Sequence, residues 1–302
     1  MVLDKRPPSA FSIWPGRLPT EVLCYIFDYC LPDTKYLSPT PDMAPILLTR
    51  VCRRWREVAV DMPSLWCRLS LKVFLKDWQR NAFCYDTWLK RSRGLPLSLA
   101  LQWQGHVSTE LQNLLQPYLK QVLSLSILSL ENAEKPALVL RNLSELQQLT
   151  IRIVGPLEPA LTQFFPCMPF TLRSLEVTGP LFDLTRLDTL NHVLPHLTNI
   201  RINIYNSITC LRLFQLAPNL SSLSIGILFF ETQALTPFTH TKLQFLRIVD
   251  VIGSTDQLPD LFNALSFPNL RVLEARSVPK WPHEELKAFL ARSKFPLERL
   301  VL

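Results

Sequence analysis

Glycine is scarce in this chain, with only 7 among 302 residues. No P-loop, Gly-x-Gly-x-x-Gly or Gly-x-Ser-x-Gly pattern occurs, so the sequence lacks the loops that cradle phosphates and the nucleophile turn of serine hydrolases. The five histidines are scattered, and the one pair at helical spacing, His192 and His196, has Pro195 between its members. We therefore expect no enzyme activity, no metal site and no cofactor.

The sequence also lacks paired cysteines and a long apolar segment. Its seven cysteines form no Cys-x-x-Cys pair, and their odd number indicates reduced, buried thiols. No secretory signal is evident in the first residues, and the longest apolar stretch, near 225–230, is far shorter than the roughly 20 residues that span a bilayer. These features predict a protein of the cytoplasm, the nucleus or both, with no membrane partner.

Proline and basic residues are plentiful instead. The 25 prolines predict many short elements separated by X-Pro turns. Hydrophobic residues make up 48% of the chain, which is enough for a substantial core. Residues 1–95 carry 15 Lys and Arg against 9 Asp and Glu, whereas the remaining residues carry 17 and 16. The basic excess thus belongs to the N-terminal region and suits either an acidic protein or nucleic acid as a partner.

Two segments of the N-terminal region show helical periodicity. In 18–30, the apolar residues at positions 22, 23, 26, 27 and 30 share one face of a helix of about three turns. Pro19 stands at its start, where proline is tolerated. A loop with three prolines follows at 31–42. The helical period returns over 43–62, where four residues crowd the polar side: Arg50, Arg53, Arg54 and Arg56.

Three strings of this region, LPTEVLCYIF, VCRRWREVA and PSLW, resemble an F-box, in a form similar to the F-box-like proteins abundant in mushroom-forming fungi. In that family the module is a three-helix bundle that binds the Skp-type linker of SCF ubiquitin ligases and, through it, a cullin. The resemblance implies an F-box-like domain at 16–67, after an N-terminal tail at 1–15 and before a connecting helical segment at 68–95. It implies that Leu18 and Pro19 contact the linker and that the other members of the linker-binding set build the bundle or line the contact. That set is Leu18, Pro19, Ile26, Phe27, Val51, Cys52 and Trp55. The arginine cluster matches the linker's acidic character.

The rest of the chain repeats the pattern L-x-x-L-x-(L/I/V). Seven clear copies begin at 146, 172, 197, 220, 243, 270 and 297, and two weaker copies, PLSLAL and LSLSI, precede them. In the clear copies the fourth-position residues are 23 to 27 residues apart, a spacing typical of leucine-rich repeats. We expect an α/β fold in which 96–302 form an irregular leucine-rich-repeat solenoid of nine strands with a parallel sheet on its concave side. The array is irregular because the position of the usual ladder-forming asparagine holds other residues, such as Pro180 and Tyr205.

One side of each predicted strand carries the charged residues. Positions 1, 4 and 6 of the pattern are apolar, so positions 3, 5 and 7 point to the concave face. The charged residues at positions 5 and 7 predict a mixed-charge target-binding surface of Arg152, Glu176, Arg201, Arg247, Glu274 and Arg276. Simple solvation of an exposed sheet face would use the same residue types, and both interpretations stay open.

These patterns together predict a substrate-recognition adaptor of an SCF-type ubiquitin ligase, whose F-box binds the Skp-type linker and whose repeats bind an unknown protein target. A non-ligase F-box scaffold and a nucleic-acid-binding protein with a basic N-terminal half are the alternatives. The last strand ends at Leu302 without a capping element, which predicts self-association through that C-terminal edge.

Overall fold

A computed structural model of the chain describes residues 18–73, 78–103, 109–129, 142–153, 164–227, 235–250, 258–276, 282–293 and 297–301. The expected tail at 1–15 lies outside these residues. The described part is a mixed helix and strand structure with an N-terminal helical region and a large parallel sheet. None of its helices is long and apolar enough to cross a membrane.

The N-terminal region contains helices α1 (Thr20–Cys30), α2 (Leu48–Val51) and α3 (Arg53–Asp61), followed by a 3-10 turn at Pro63–Trp66. Helix α1 begins directly after Pro19, whose missing N–H is not needed at a helix start. Helix α3 is capped by Cys52, whose sulfur accepts a hydrogen bond from the backbone N–H of Trp55 at 3.5 Å. The helices α1 and α3 pack through the rings of Phe27 and Trp55, whose centroids are 5.0 Å apart.

Twelve strands occur in the described residues. They are β1 (Arg68–Val73), β2 (Leu97–Trp103), β3 (Val122–Ser129), β4 (Gln148–Ile153), β5 (Ser174–Phe182), β6 (Asn199–Ile204), β7 (Ser222–Ile227), β8 (Phe238–Thr239), β9 (Phe245–Asp250), β10 (Leu265–Ser266), β11 (Val272–Arg276) and β12 (Arg299–Val301). Ten of them form one parallel sheet in chain order, and β8 pairs with β10 in a separate two-stranded sheet. The larger sheet contains all nine predicted strands and β1 as a tenth.

The apolar positions of the repeat pattern set the register of the sheet. Each fourth-position residue pairs with its counterpart in the next strand, from Leu69 on β1 to Leu300 on β12. In the eight strands that lie between β1 and β12 in this sheet, the fourth-position residues are at most 2% exposed. They form one hydrophobic core together with buried residues of the neighbouring helices. The helices are α4 (Trp78–Arg91), α5 (Thr109–Leu115), α6 (Leu184–Asp188), α7 (Ser207–Leu216), α8 (Leu258–Ala264) and α9 (His283–Ser293).

Three expectations need correction. The segment 68–95 is not helical throughout, because its first six residues form β1 and only then does α4 begin. The apolar stretch 187–196 has a helix-like sequence pattern and was expected to form one helix, but the structure divides it into the end of α6, turns and a 3-10 helix at Leu194–His196, which contains Pro195. Of the seven cysteines only Cys210 is buried, which raises its pKa to about 12, whereas Cys30 and Cys84 are exposed.

The loop at 31–42 lies along the outer edge of β1. The carbonyl of Leu37 accepts a hydrogen bond from the N–H of Ser70 at 2.8 Å, and Arg68 donates to the carbonyl of Thr34 at 2.8 Å. The Leu37 side chain is buried. An edge strand otherwise presents unpaired backbone groups to other chains, so this loop protects part of the first edge of the sheet.

Strand β5 is irregular and depends on one glycine. Its register with β6 shifts between Glu176 and Leu181. Within this bulge, Gly179 has a φ of +119°, and a Cβ atom there would lie 2.6 Å from the carbonyl oxygen of Ile153. A side chain at this position would therefore require both a rare backbone conformation and a shift of β4.

We expect Gly179→Ala to lower the free energy of unfolding by about 2–4 kcal/mol, because backbone strain and overpacking add. Gly94→Ala is the matched control, since Gly94 also has a positive φ (+86°) but a Cβ there would meet no atom within 4 Å. Only backbone strain affects the control, so Gly94→Ala should lower the free energy of unfolding by about 1 kcal/mol. Urea unfolding of both variants measures the difference, and equal losses would contradict the close approach to Ile153.

Candidate functional site

The two residues expected to contact a linker lie at the start of α1. Pro19 is exposed, as a docking residue must be. Leu18 is half-buried and packs against the core, and its carbonyl accepts a hydrogen bond from the guanidinium of Arg54. Leu18 therefore also anchors α1 to α3, a role that the sequence did not indicate.

The other five predicted linker-binding residues divide between core and surface. Phe27 is completely buried, so it supports the surface from beneath and cannot contact a partner directly. Cys52, Trp55 and Ile26 are half-buried, and Cys52 serves mainly as the cap of α3. Val51, by contrast, is 50% exposed although it is apolar. Of the seven residues, Pro19 and Val51 are thus the most accessible.

Several apolar residues of this region are exposed, which sequence periodicity did not indicate. Tyr25 and Tyr29 on α1 are 70% and 89% exposed, and Val22 lies on the same side of the helix. Met43 and Leu47 are exposed as well, at i and i+4 before Val51 at i+8. We call the set Met43, Leu47 and Val51 the apolar stripe. Groups of exposed apolar residues are typical of protein-binding surfaces.

The arginine cluster is part of the domain's framework as well as a source of positive charge. Arg56 donates to the carbonyl of Thr49 at 2.8 Å, and Arg50 donates to the carbonyl of Pro41 at 3.3 Å. Arg53 forms an exposed ion pair with Glu57 at 2.9 Å, one turn along α3. A pair this exposed stabilises the helix by only a few tenths of a kcal/mol.

The six residues predicted to bind a target all lie on strands of the larger sheet, where their side chains form local groups. On β5 and β6, Arg201 pairs with Glu176 at 3.4 Å. On β9 and β11, the guanidinium of Arg247 makes two close contacts with Glu274, at 2.7 and 2.8 Å. Arg276 approaches the same carboxylate at 3.8 Å. Arg152 is exposed on β4.

Glu274 is the centre of the second group and is only 3% exposed. A hydrogen bond from Arg247 holds the pKa of this carboxyl below its usual value against the opposing effect of burial, and the charges of the surrounding arginines add to the lowering. Arg299 on β12, which sequence reasoning missed, approaches Glu274 at 3.8 Å. Its place at position 3 of the pattern was the available signal, because positions 3, 5 and 7 share a face.

A polar groove lies beside the N-terminal ends of β7, β9 and β11. Its volume is about 310 Å³, and its lining residues are Asn219, Ser221, Thr241, Lys242, Gln244, Asn269 and Arg271. Asn219 donates to the carbonyl of Pro195 at 2.7 Å, and Asn269 donates to that of Thr241 at 2.6 Å. Asparagine side chains thus connect chain segments that are 24 and 28 residues apart in sequence.

Among the residues that the structure describes, no group of three or more His, Cys, Asp or Glu side chains is placed to hold a metal ion.

No curated protein matches the chain. Residues 16–72 match the family model for F-box-like domains. This match includes α1, α2, α3, the 3-10 turn and most of β1. Residues 16–72 of the chain therefore form an F-box-like domain.

Proposed function

We propose that the chain is a substrate-recognition adaptor of an SCF-type ubiquitin ligase. The observation that carries the proposal is the F-box-like domain at 16–72, because such domains typically bind Skp-type linkers. The domain would bind the linker through the surface that includes Leu18, Pro19 and Val51. The linker would connect the chain to a cullin, and the chain itself would perform no chemistry.

In the same proposal, residues 96–302 are a leucine-rich-repeat solenoid whose charged sheet face binds the target protein. The in-register ladder of buried leucine and isoleucine residues supports this, since stacked repeats bury one another's apolar faces. The charged residues of the opposite face support it too, because mixed charges favour specific recognition of one partner over others.

The junction between the F-box-like domain and the sheet supports a fixed arrangement of the two surfaces. Trp66 of the 3-10 turn packs edge to face on Trp88 of α4, with ring centroids 5.0 Å apart. Both tryptophans belong to the hydrophobic core that also contains the buried residues of α1. A target held on the sheet would consequently keep a defined position relative to the linker.

Replacement of Leu18 and Pro19 by alanine tests linker binding. We expect at least a tenfold loss of affinity for a Skp-type linker, about 1.4 kcal/mol or more, because truncation of central interface residues commonly has effects of this size. The measurement is copurification and titration with the linker. Because Leu18 also packs on the core, circular dichroism must show unchanged helix content.

A second variant avoids the core contact of Leu18. Leu47→Glu together with Val51→Glu places two charges on the apolar stripe, and we expect the same loss of linker affinity. Phe83→Glu is the control, since Phe83 is exposed on α4, outside the F-box-like domain. Retained linker binding by both double variants would refute the adaptor proposal. Binding of the linker without recruitment of a cullin would instead favour the non-ligase scaffold.

A further inference from the structure

The sheet face has a strongly basic end at its last three strands. Arg247 on β9, Arg276 on β11 and Arg299 on β12 converge on the buried carboxylate of Glu274. We call these three arginines and Glu274 the arginine end. One carboxylate balances one of the three guanidinium groups, so the arginine end carries an excess of positive charge.

The same imbalance extends along the face. From β4 to β12, the charged residues at positions 3, 5 and 7 of the pattern are five arginines and two glutamates: Arg152, Arg201, Arg247, Arg276, Arg299, Glu176 and Glu274. Both glutamates already form ion pairs with arginines of the face. The net charge that this face offers to a partner is therefore positive.

We propose that the target binds the arginine end through a segment rich in Asp and Glu. This inference rests on the proposed function, because it specifies the chemistry of the target that the adaptor would hold. A guanidinium recognises a carboxylate with two parallel N–H groups, which makes arginine well suited to acidic side chains.

The geometry of the arginine end suits such a segment. The nitrogens of Arg276 and Arg299 nearest to Glu274 are 3.8 Å from its oxygens, which is beyond hydrogen-bond distance. Both side chains are more than half exposed, so their N–H groups can donate to an incoming carboxylate. Arg247 is held by its short contacts with Glu274, which fixes the centre of the group before a partner arrives. Arg299 pairs in register with Val272, so Arg276 lies four residues further along β11, and the two arginines flank Glu274 about 13 Å apart along the strands. Carboxylates four residues apart in an extended segment have the same spacing, so one segment that runs along the strands can reach both arginines.

A nucleic acid fits this face less well. Glu176 and Glu274 lie within the face and would repel a continuous phosphate backbone. Single-stranded nucleic acid is also commonly held by stacking of its bases on exposed aromatic rings. Among the residues that the structure describes, Phe245 is an aromatic residue beside the arginine end. The guanidinium of Arg247 lies over its ring, 5.3 Å from the centroid.

Fluorescence anisotropy with the full-length chain tests the proposal. The probe is a fluorescein-labelled peptide of about twelve residues in which Asp alternates with Gly or Ser, long enough to reach both Arg276 and Arg299. The comparison peptide has Asn in place of every Asp. We expect saturable binding of the Asp peptide only, and weaker binding as salt rises from about 50 mM to about 200 mM, because partly exposed charges are screened.

The decisive variant is Arg276→Glu with Arg299→Glu. It should weaken binding of the Asp peptide at least about tenfold, because two attractive contacts become repulsive. Arg212→Glu with Lys287→Glu is the matched control: it makes the same change in net charge on α7 and α9, at residues that also lie near carboxylates. The control should bind the Asp peptide within about twofold of the original protein, since distant exposed charges are largely screened.

Three outcomes would overturn the proposal: equal binding of the Asn peptide, equal effects of the two double variants, or tighter binding of a single-stranded oligonucleotide that depends on Arg276 and Arg299. Linker copurification is measured in every variant. Failure of the peptide experiment with intact linker binding rejects only the acidic segment. Loss of linker binding under the tests of the F-box-like domain concerns the proposed function and is measured separately.

Discussion

Trp66→Ala is expected to lower the free energy of unfolding by about 3–5 kcal/mol, since it removes a large buried aromatic side chain. Trp66 is 1% exposed, and its indole N–H donates to the carbonyl of Ala59 at 2.8 Å. The guanidinium of Arg91 lies over its ring, 4.4 Å from the centroid. The residue ends the 3-10 turn of the F-box-like domain and occupies the first position of the repeat pattern of β1. Its removal should thus weaken both regions together.

Hydrogen exchange of α1 and β3, measured at increasing urea concentrations, tests whether the two regions unfold together. The two elements should lose protection at the same urea concentration, in the original protein and in the variant. Phe83→Ala is the control on the neighbouring helix, because Phe83 is 74% exposed and its loss should change stability by at most about 0.5 kcal/mol. If α1 lost protection well before β3, the F-box-like domain and the sheet would be independent units.

The sheet was predictable because its strands repeat one apolar pattern. Leu149, Leu175 and Ile200 were assigned to the same position from sequence spacing, and the structure pairs them in adjacent strands. The residue periodicity of a strand fixes which side chains are buried, so burial followed directly. The acidic and basic residues of the face also lie on strands, as their sequence positions indicated. Their ion pairs could not be predicted, because an ion pair depends on side-chain directions, which sequence spacing does not give.

Strand β1 was missed for a specific reason. Its pattern begins with Trp66, not leucine, and Leu69 precedes Leu99 by 30 residues, outside the spacing of the clear copies. The string PSLW had also been assigned to the F-box resemblance alone. A segment that completes the F-box-like domain therefore also starts the sheet, and the family match that ends at residue 72 includes part of both.

The burial of the residues expected to bind the linker was only partly predictable from helical spacing. Ile26 and Phe27 were assigned to one apolar face of α1, but the structure buries Phe27 completely and leaves Ile26 half-buried. Tyr25 and Tyr29 are exposed on the other side. Periodicity indicates which face is apolar on average, whereas the neighbours of a helix decide which of its residues are covered.

His240→Ala is expected to lower the free energy of unfolding at neutral pH by about 2–4 kcal/mol, because it leaves two backbone groups without their hydrogen-bond partner. His240 is 3% exposed. Its Nδ1 accepts a hydrogen bond from the N–H of Leu243 at 3.2 Å, so its Nε2 carries the proton and donates to the carbonyl of Ala217 at 3.0 Å. The neutral ring thus connects the end of α7 to the start of β9.

The same residue makes stability depend on pH. Burial lowers the pKa of His240 below its ordinary value of 6.5, and this effect exceeds that of the hydrogen bond to the Ala217 carbonyl, which raises it. The stabilisation from a neutral, buried histidine is complete above the unfolded-state pKa and is lost as pH falls from 6.5 towards the lower pKa of the folded state, because the unfolded chain binds the proton first. The free energy of unfolding of the original protein, measured with urea, should therefore decrease as the pH falls below 6.5.

The pH dependence distinguishes His240 from a residue that only fills space. His240→Ala should be less stable at neutral pH and should show a smaller decline below pH 6.5, since the titrating group is gone. His240→Asn should recover part of the stability but not the pH dependence, because an amide oxygen can accept the hydrogen bond from Leu243 without binding a proton in this range. His196→Ala, at an exposed position, is the control and should keep the decline of the original protein. An identical decline in His240→Ala and the original protein would show that the imidazole at 240 is not the group responsible.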